Sequence, residues 1–371
     1  MAHQSESPDS HNHAPKAHSA LIQDDSPFTS GLRVPPGRSI LDELLHFQET
    51  ARTLYSPQQG QELRSLALAG VVQAVREDPE LRKAIFDDRR WEATRIADLF
   101  EEVRRDAGSL SLTTASKIAE SAAALGFRDE RLFQALGQEA HARRKSLTGA
   151  QISRFVWALT QLDIEDSPFV AVLVKAARSI DRTDTLLVSQ RARIAWGLCH
   201  LKPLEVRAVL TPGFLTWEDS SINSLNLMYQ ALLVSGAIGR HDDFPRRKEL
   251  QLLAHHEPTN NLEKGVETHL RRYLLERRID FELHPQQNVG GVFVDLVLYL
   301  ADRTVAIECD GYQFHFSWGP DGRKRLGRDH IQDRVLEAHG MEVAHIVSTD
   351  WNQRPAHQIF AEVLAVKDKS A

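Results

Sequence analysis

Between Leu41 and His256 the apolar residues recur at i, i+3, i+4 and i+7, the spacing that puts them on one face of an α-helix. Leu63–Val75, Trp91–Asp106 and Ala115–Leu125 carry this pattern in Ala-, Leu-, Glu- and Arg-rich sequence, with short polar breaks between them. Some breaks read as helix starts: Asp78-Pro79 pairs a capping side chain with a proline suited to the first turn. No alternation of β-branched residues persists here, so residues 41–256 are expected to be all-α.

Within that region the pattern repeats. Ser109-Leu110-Ser111 followed by Lys117-Ile118 reappears 37 residues later as Ser146-Leu147-Thr148 followed by Arg154-Phe155. At the same offset Leu125, Asp129, Leu132, Leu136 and Ala140 return as Leu162, Asp166, Phe169, Leu173 and Ala177. A third copy, about 39 residues further on, carries Leu186, Gln190, Arg193, Trp196 and Leu201. Asn223–Gly236 has the look of a degenerate terminal copy, and a looser one surrounds Leu66–Ile85. Two helices per unit of about 38 residues is the signature of an α-solenoid, in which each pair buries its apolar face only by stacking on the next.

The recurring Leu and Ala positions are then packing. The recurring cations Lys117, Arg154 and Arg193 are not required for packing, and Thr114, Gln151 and Gln190 recur one helical turn earlier on the same face. A file of cations beside a file of hydrogen-bonding side chains suits a strand of phosphates with its bases alongside. A solvated outer helix face is the competing account.

After Glu257-Pro258-Thr259-Asn260-Asn261 the period changes, marking a domain boundary. Gly265–Arg278 reads as one amphipathic helix, followed by a strand at Phe281–Leu283 and a turn at Asn288–Gly291. Val292–Leu300 and Thr304–Cys309 read as strands joined by the hairpin Ala301-Asp302-Arg303. A helix over Gly327–Ala338 and a strand over Glu342–Val347 complete a small α/β domain covering 262–371.

Composition sharpens this outline at a few points. The 45 Lys+Arg against 51 Asp+Glu give a net charge of −6, which excludes a polycation that binds nucleic acid by bulk charge. The first 40 residues are rich in Ser, His, Pro and Asp without a helical period, so they are expected to form a disordered leader. Its His3, His11, His13 and His18 read as a solvated polar tail rather than a metal site. Cys199 and Cys309 cannot build a disulfide framework or a cysteine zinc site, which points to an intracellular, cytoplasmic protein. No run approaches the roughly 18 apolar residues of a membrane span, so no membrane partner is expected.

Candidate chemistry concentrates near the C-terminus. Asp295 on one strand and Glu308 on the next would project carboxylates at the same end of a sheet, an arrangement that holds Mg²⁺ or Mn²⁺. The cations Arg323, Lys324, Arg325 and Arg328 follow a Gly-rich loop beside these acids, where they could position a phosphate backbone. Tyr312, Phe314, Phe316 and Trp318 offer stacking surfaces in the same stretch. The alternative is structural: Glu308-Cys309-Asp310-Gly311 as a strand exit whose carboxylates cap backbone amides.

The run Phe293–Leu298, then Val305–Gly311, then Phe314-His315-Phe316, and later Arg334–Val343 followed by Asp350-Trp351, resembles the RAP domain. RAP domains commonly lie behind helical repeats of the FAST-kinase-like or octotricopeptide type, which the repeats here also resemble. The resemblance implies an RNA-binding protein. RAP domains are in turn similar to the very-short-patch-repair endonuclease and the PD-(D/E)XK nuclease fold. That likeness implies a catalytic set of Glu267 as the helix acid, Asp295 and Glu308, with His315 as the histidine used in proton transfer. Asp310 occupies the position where those nucleases usually place a lysine, a departure that bears on catalysis. Expected, then, is a multidomain chain: an all-α helical-repeat solenoid over 41–256 that grips single-stranded RNA, and a RAP domain of restriction-endonuclease-like fold that clamps or cleaves it. The alternative is a protein-recognition scaffold with an inactive RAP domain, exported by a bacterium into a host cell.

Overall fold

The computed structural model describes residues 91–365, with breaks at 166, 180–185, 205, 207–219, 240–243, 245–248 and 251–260, and helical positions at 70–72, 75, 82, 83 and 85. The leader, most of Leu63–Val75 and the boundary stretch 257–260 lie outside the described residues. The chain is helix-rich, with a four-stranded mixed sheet near its C-terminus. No helix among the described residues is long and apolar enough to cross a membrane.

The helical part runs α1 (Trp91–Arg105), α2 (Leu112–Ala124), α3 (Glu130–Ala142), α4 (Gly149–Gln161), α5 (Pro168–Ser179), α6 (Val188–Leu201) and α7 (Ile222–Val234). Helices α2, α4, α6 and α7 pack side by side in that order, and α3 packs on α5 in a second row. The recurring Ser/Thr residues are N-caps. Ser111 accepts from the N–H of Thr114 at 3.0 Å, Thr148 from Gln151 at 3.4 Å and Ser221 from Ser224 at 3.2 Å, each satisfying a donor the helix start leaves open. The first helices of two copies end at equivalent positions in left-handed residues, Gly126 (φ 68°) and Asp163 (φ 54°).

The C-terminal part comprises α8 (Asn261–Glu276), β1 (Phe281–Val289), β2 (Val292–Leu300), β3 (Thr304–Asp310), the single turn α9 (Tyr312–His315), α10 (Gly327–Ala338), β4 (Glu342–Val347), α11 (Ser348–Gln353) and α12 (Ala356–Leu364). The sheet order is β1-β2-β3-β4, antiparallel except that β4 lies parallel to β3 across the α10 crossover. Strand β1 is longer than the sequence pattern implies, continuing through Pro285 to Val289. The proline is accommodated because β1 is an edge strand, where a missing N–H breaks no ladder on the open side. The β1–β2 turn is the two-glycine loop Gly290 (φ 60°) and Gly291 (φ 80°), both in the region a tight I′ hairpin demands.

One face of the sheet buries Leu296, Leu298, Val305, Ile307 and Cys309 against α8 and α12. The other places Val297 and Ala306 in a core continuous with α10 and the helical repeats. Along β2, Val292 and Val294 join the repeat-side core whereas Leu296 and Leu298 join the α8 side. Residues of one parity share a face in a regular strand, so the pleat turns over at Asp295. Its register partner position on β1 is Gln286, which has a φ of 51°.

The two parts are locked through the loop before α10. Trp318, 5% exposed, packs edge-on to Phe127 with ring centroids 4.9 Å apart and donates its indole N–H to the Leu125 carbonyl at 2.7 Å. Its backbone exchanges bonds with Gly126 and Arg128 on the same turn. At the start of α10, Gly327 sits so close to α4 that a Cβ would lie 1.9 Å from the Thr160 carbonyl oxygen. Trp318→Ala would vacate a buried indole site and leave a carbonyl unpaired, a loss of roughly 3–5 kcal/mol. Urea denaturation should show it; a loss below about 1 kcal/mol would contradict this interface.

Candidate active site

The register Leu296↔Ile307 between β2 and β3 brings Asp295 and Glu308 together one step further along, and Glu308 is the direct partner of His345 on β4. Because Ile307 and Cys309 face α8, the alternate residues Glu308 and Asp310 face α10 and the repeats. Helix α10 answers with Asp329 and Asp333, one turn apart. Five carboxylates, Asp295, Glu308, Asp310, Asp329 and Asp333, thus cluster where the sheet meets the crossover helix, close enough to act on one another electrostatically.

Asp295 is held from both sides. Its Oδ2 accepts the Cys309 N–H at 2.8 Å and its Oδ1 accepts from the Gln286 side-chain amide at 3.1 Å. The same amide nitrogen donates to Glu263 Oε2, also at 3.1 Å. Burial pushes the Asp295 carboxyl above its usual range, with these bonds opposing the rise. Glu308 is pushed up much further, by burial first and then by the charges of Asp295, Asp310, Asp333 and Asp329. Its Oε1 is buried without a hydrogen-bond partner, as is Asp310 Oδ1. An ionised carboxylate in that state costs several kcal/mol unless a proton or a cation compensates it.

Two histidines and two arginines stand against these acids. His345 Nδ1 lies 3.0 Å from Asp310 Oδ2 and its Nε2 lies 3.2 Å from Asp333 Oδ1, so both ring nitrogens face carboxylates, the pattern of an imidazolium. Burial works to lower the His345 pKa, but the bonds to Asp310 and Asp333 outweigh it and raise it to about 9. Asp333 is likewise held down to about 2: burial opposes ionisation, and the contacts with His345 and Arg325 prevail. Arg325 pairs with Asp333, and Arg328 bonds the Phe314 carbonyl. His315 Nδ1 sits 3.4 Å from Asp310 Oδ1 and 3.3 Å from Asp329 Oδ1.

Of the residues the sequence singles out here, Asp295, Glu308, Asp310, His315, Arg325 and Arg328 converge. Glu267 does not. It forms an ion pair with Arg271 at 2.8 Å one turn along α8, and the helix acid linked to Asp295 is Glu263, 6% exposed, one turn earlier. Arg323 and Lys324 are exposed on the loop, with Arg323 lying over the Tyr312 ring at 4.7 Å. Trp318 belongs to the domain interface rather than to a stacking surface. Sequence reasoning missed Glu263, Gln286, Asp329, Asp333 and His345. The i, i+4 spacing of Asp329 and Asp333 on an otherwise apolar-faced helix was the available signal.

In the helical repeats, Lys117 is exposed, while Arg154 and Arg193 both reach Glu120 of α2, at 3.4 and 3.0 Å. The adjoining polar file serves the helix starts. Gln151 and Gln190 accept from the N–H of Thr148 and Leu187, at 3.0 and 3.3 Å, and Gln151 also donates to Thr113 Oγ1 at 3.0 Å. Thr114 Oγ1 lies 2.8 Å from the Ser111 hydroxyl. These three positions recur because they are third in their helices, where a side chain reaches back to the cap. Another cluster, Asp163, Glu165 and His200, brings its ligand atoms within 4.8 Å of one another where α4 and α6 end, and His200 stacks on His330 of α10.

No curated protein matches the chain. Residues 267–364 match the family model REase_MTES_1575, a restriction-endonuclease-like domain, which supports a nuclease-like fold for the C-terminal part of the molecule.

Proposed function

We propose that the C-terminal domain is a metal-dependent phosphodiesterase acting on nucleic acid. The carrying observation is Glu308: a carboxylate with a buried, unpartnered oxygen beside Asp295, in a pocket whose other acids are held by histidine and arginine. The hard oxygens of Asp295 and Glu308 fit Mg²⁺ or Mn²⁺. When bound, such an ion supplies charge neutralisation at the scissile phosphate and a water acidified for attack.

The protein's own residues account for the missing lysine. Asp310 presents no free charge to a phosphate, because His345 and His315 lie against its two oxygens and Arg325 stands 3.9 Å away. The positive charge a lysine would provide is carried instead by His345 and Arg325. His315, held by Asp310 and Asp329 at the pocket wall, is the group placed to move a proton. Arg323 and Lys324 on the exposed loop would fix the phosphate backbone without reading sequence. RNA as the substrate rests on the RAP-like and repeat-like sequence. The side-by-side order of α2, α4, α6 and α7 supports a solenoid reading; Lys117 is exposed there, while Arg154 and Arg193 are paired with Glu120. A non-cleaving RNA clamp is the second reading, favoured by Asp310 itself.

Purified protein should cut RNA only with Mg²⁺ or Mn²⁺, and Glu308→Ala should reduce cleavage at least about a hundredfold. Gel assays with RNA and DNA offered side by side decide substrate and activity together. Binding without cleavage across substrates and metals would leave the clamp.

The His345 contact makes stability pH-dependent. A pKa raised from 6.5 to about 9 in the fold adds roughly 3 kcal/mol that is complete below about pH 6.5 and lost as pH rises through 9. Thermal midpoints of protein kept in chelator should therefore fall between pH 7 and 9.5, and His345→Gln should flatten that fall. An unchanged slope in the variant would contradict the assignment.

A further inference from the structure

We propose that Gln286 is the positioning residue of the divalent-cation site, its single amide fixing the carboxylates of Glu263 and Asp295 as one unit. The inference rests on the metal-binding reading above and goes beyond it. It assigns a neutral side chain on β1 to that site and ties Asp295 through it to Glu263, a helix acid different from the one the sequence suggests.

Three features of the geometry carry it. Gln286 Nε2 has two hydrogens, and two carboxylate oxygens from separate elements stand 3.1 Å from it, Glu263 Oε2 on α8 and Asp295 Oδ1 on β2. Gln286 and Glu263 are both more than nine-tenths buried, 9% and 6% exposed, so water does not readily substitute for the amide. The backbone at Gln286 holds a φ of 51°, unusual for a residue with a side chain, and it does so at the register position of Asp295, where the pleat of β2 turns over. Two acids brought this near in a buried setting repel each other. A neutral double donor between them removes that conflict without adding a competing positive charge at the place a cation would occupy. An arginine or lysine there would neutralise the acids and weaken the site.

The bridge also explains the arrangement of donors around Asp295. Oδ1 is bound by Gln286 and Oδ2 by the Cys309 N–H, so the carboxyl plane is set by β1 on one side and β3 on the other. Glu308 is the register neighbour of Asp295 on β3. Gln286 thereby fixes the angle at which Asp295 meets Glu308, the job that outer partners of metal ligands commonly perform.

The test is calorimetric titration of Mn²⁺ into the metal-free full chain. Compared are wild type, Gln286→Met, which keeps length and removes the amide, and Gln286→Asn, which keeps the amide but falls short. Thermal midpoints of the metal-free proteins are measured in parallel. Expected is a Kd weakened tenfold to a hundredfold in both variants, with each variant still melting cooperatively. A Kd within twofold of wild type in both folded variants would overturn the proposal while leaving the metal reading standing. A lowered melting midpoint with unchanged Kd would likewise overturn it, since that is the result of a purely structural role. No Mn²⁺ binding by the wild-type chain would overturn the metal reading and this proposal with it.

Discussion

A carboxylate with one buried oxygen that no hydrogen bond answers is the constraint around which the C-terminal domain is arranged. Glu308 lies on a strand whose alternate residues, Ile307 and Cys309, belong to the apolar core, so its side chain is committed to the opposite face by the period of the strand alone. There it meets Asp295, Asp310, Asp329 and Asp333. Such a concentration of negative charge is tolerable only because each neighbour is answered: Asp295 by Cys309 and Gln286, Asp310 by His345 and His315, Asp329 by Arg328 and His315, Asp333 by Arg325 and His345. Glu308 has no histidine or arginine ion pair among the described residues and keeps a buried Oε1 without a hydrogen bond, and a site for a cation is the arrangement in which that oxygen is useful.

The helical repeats take part in holding this pocket. Its far wall is α10, and α10 is placed by contacts with α4, α6 and α7 rather than by the sheet alone. Gly327 against Thr160, Trp318 in the turn after α2, and the His330–His200 stack fix its start and its register. The turn after α2 is thus covered by the segment that carries Arg323, Lys324 and Arg325, and the end of α4 by the start of α10.

Much of this organisation was legible in the sequence. The bounds of β2, α10 and β4 follow from periodicity, and the acids at 295 and 308 stand out because they interrupt apolar strands. The extension of β1 did not, since Pro285 and a polar run read as a turn unless the strand is known to lie at an edge. Glu263 was hidden because it opens α8 one turn before the more conspicuous Glu267, and the choice between them depends on a contact with β1 that no spacing reveals. Gln286 carried no signal, being a neutral residue whose role arises from the two acids it separates. In the repeats, the recurring Gln residues looked like a recognition file and instead belong to the helix caps, which recur for their own reason.

The account depends on a divalent cation meeting Asp295 and Glu308, and crystals soaked in Mn²⁺ test that directly through anomalous scattering. An anomalous peak within coordination distance of both carboxylates, about 2.0–2.4 Å, is the result expected. A well-ordered Glu308 with no peak beside it at millimolar Mn²⁺ would contradict the account and mark Glu308 as a buried neutral acid.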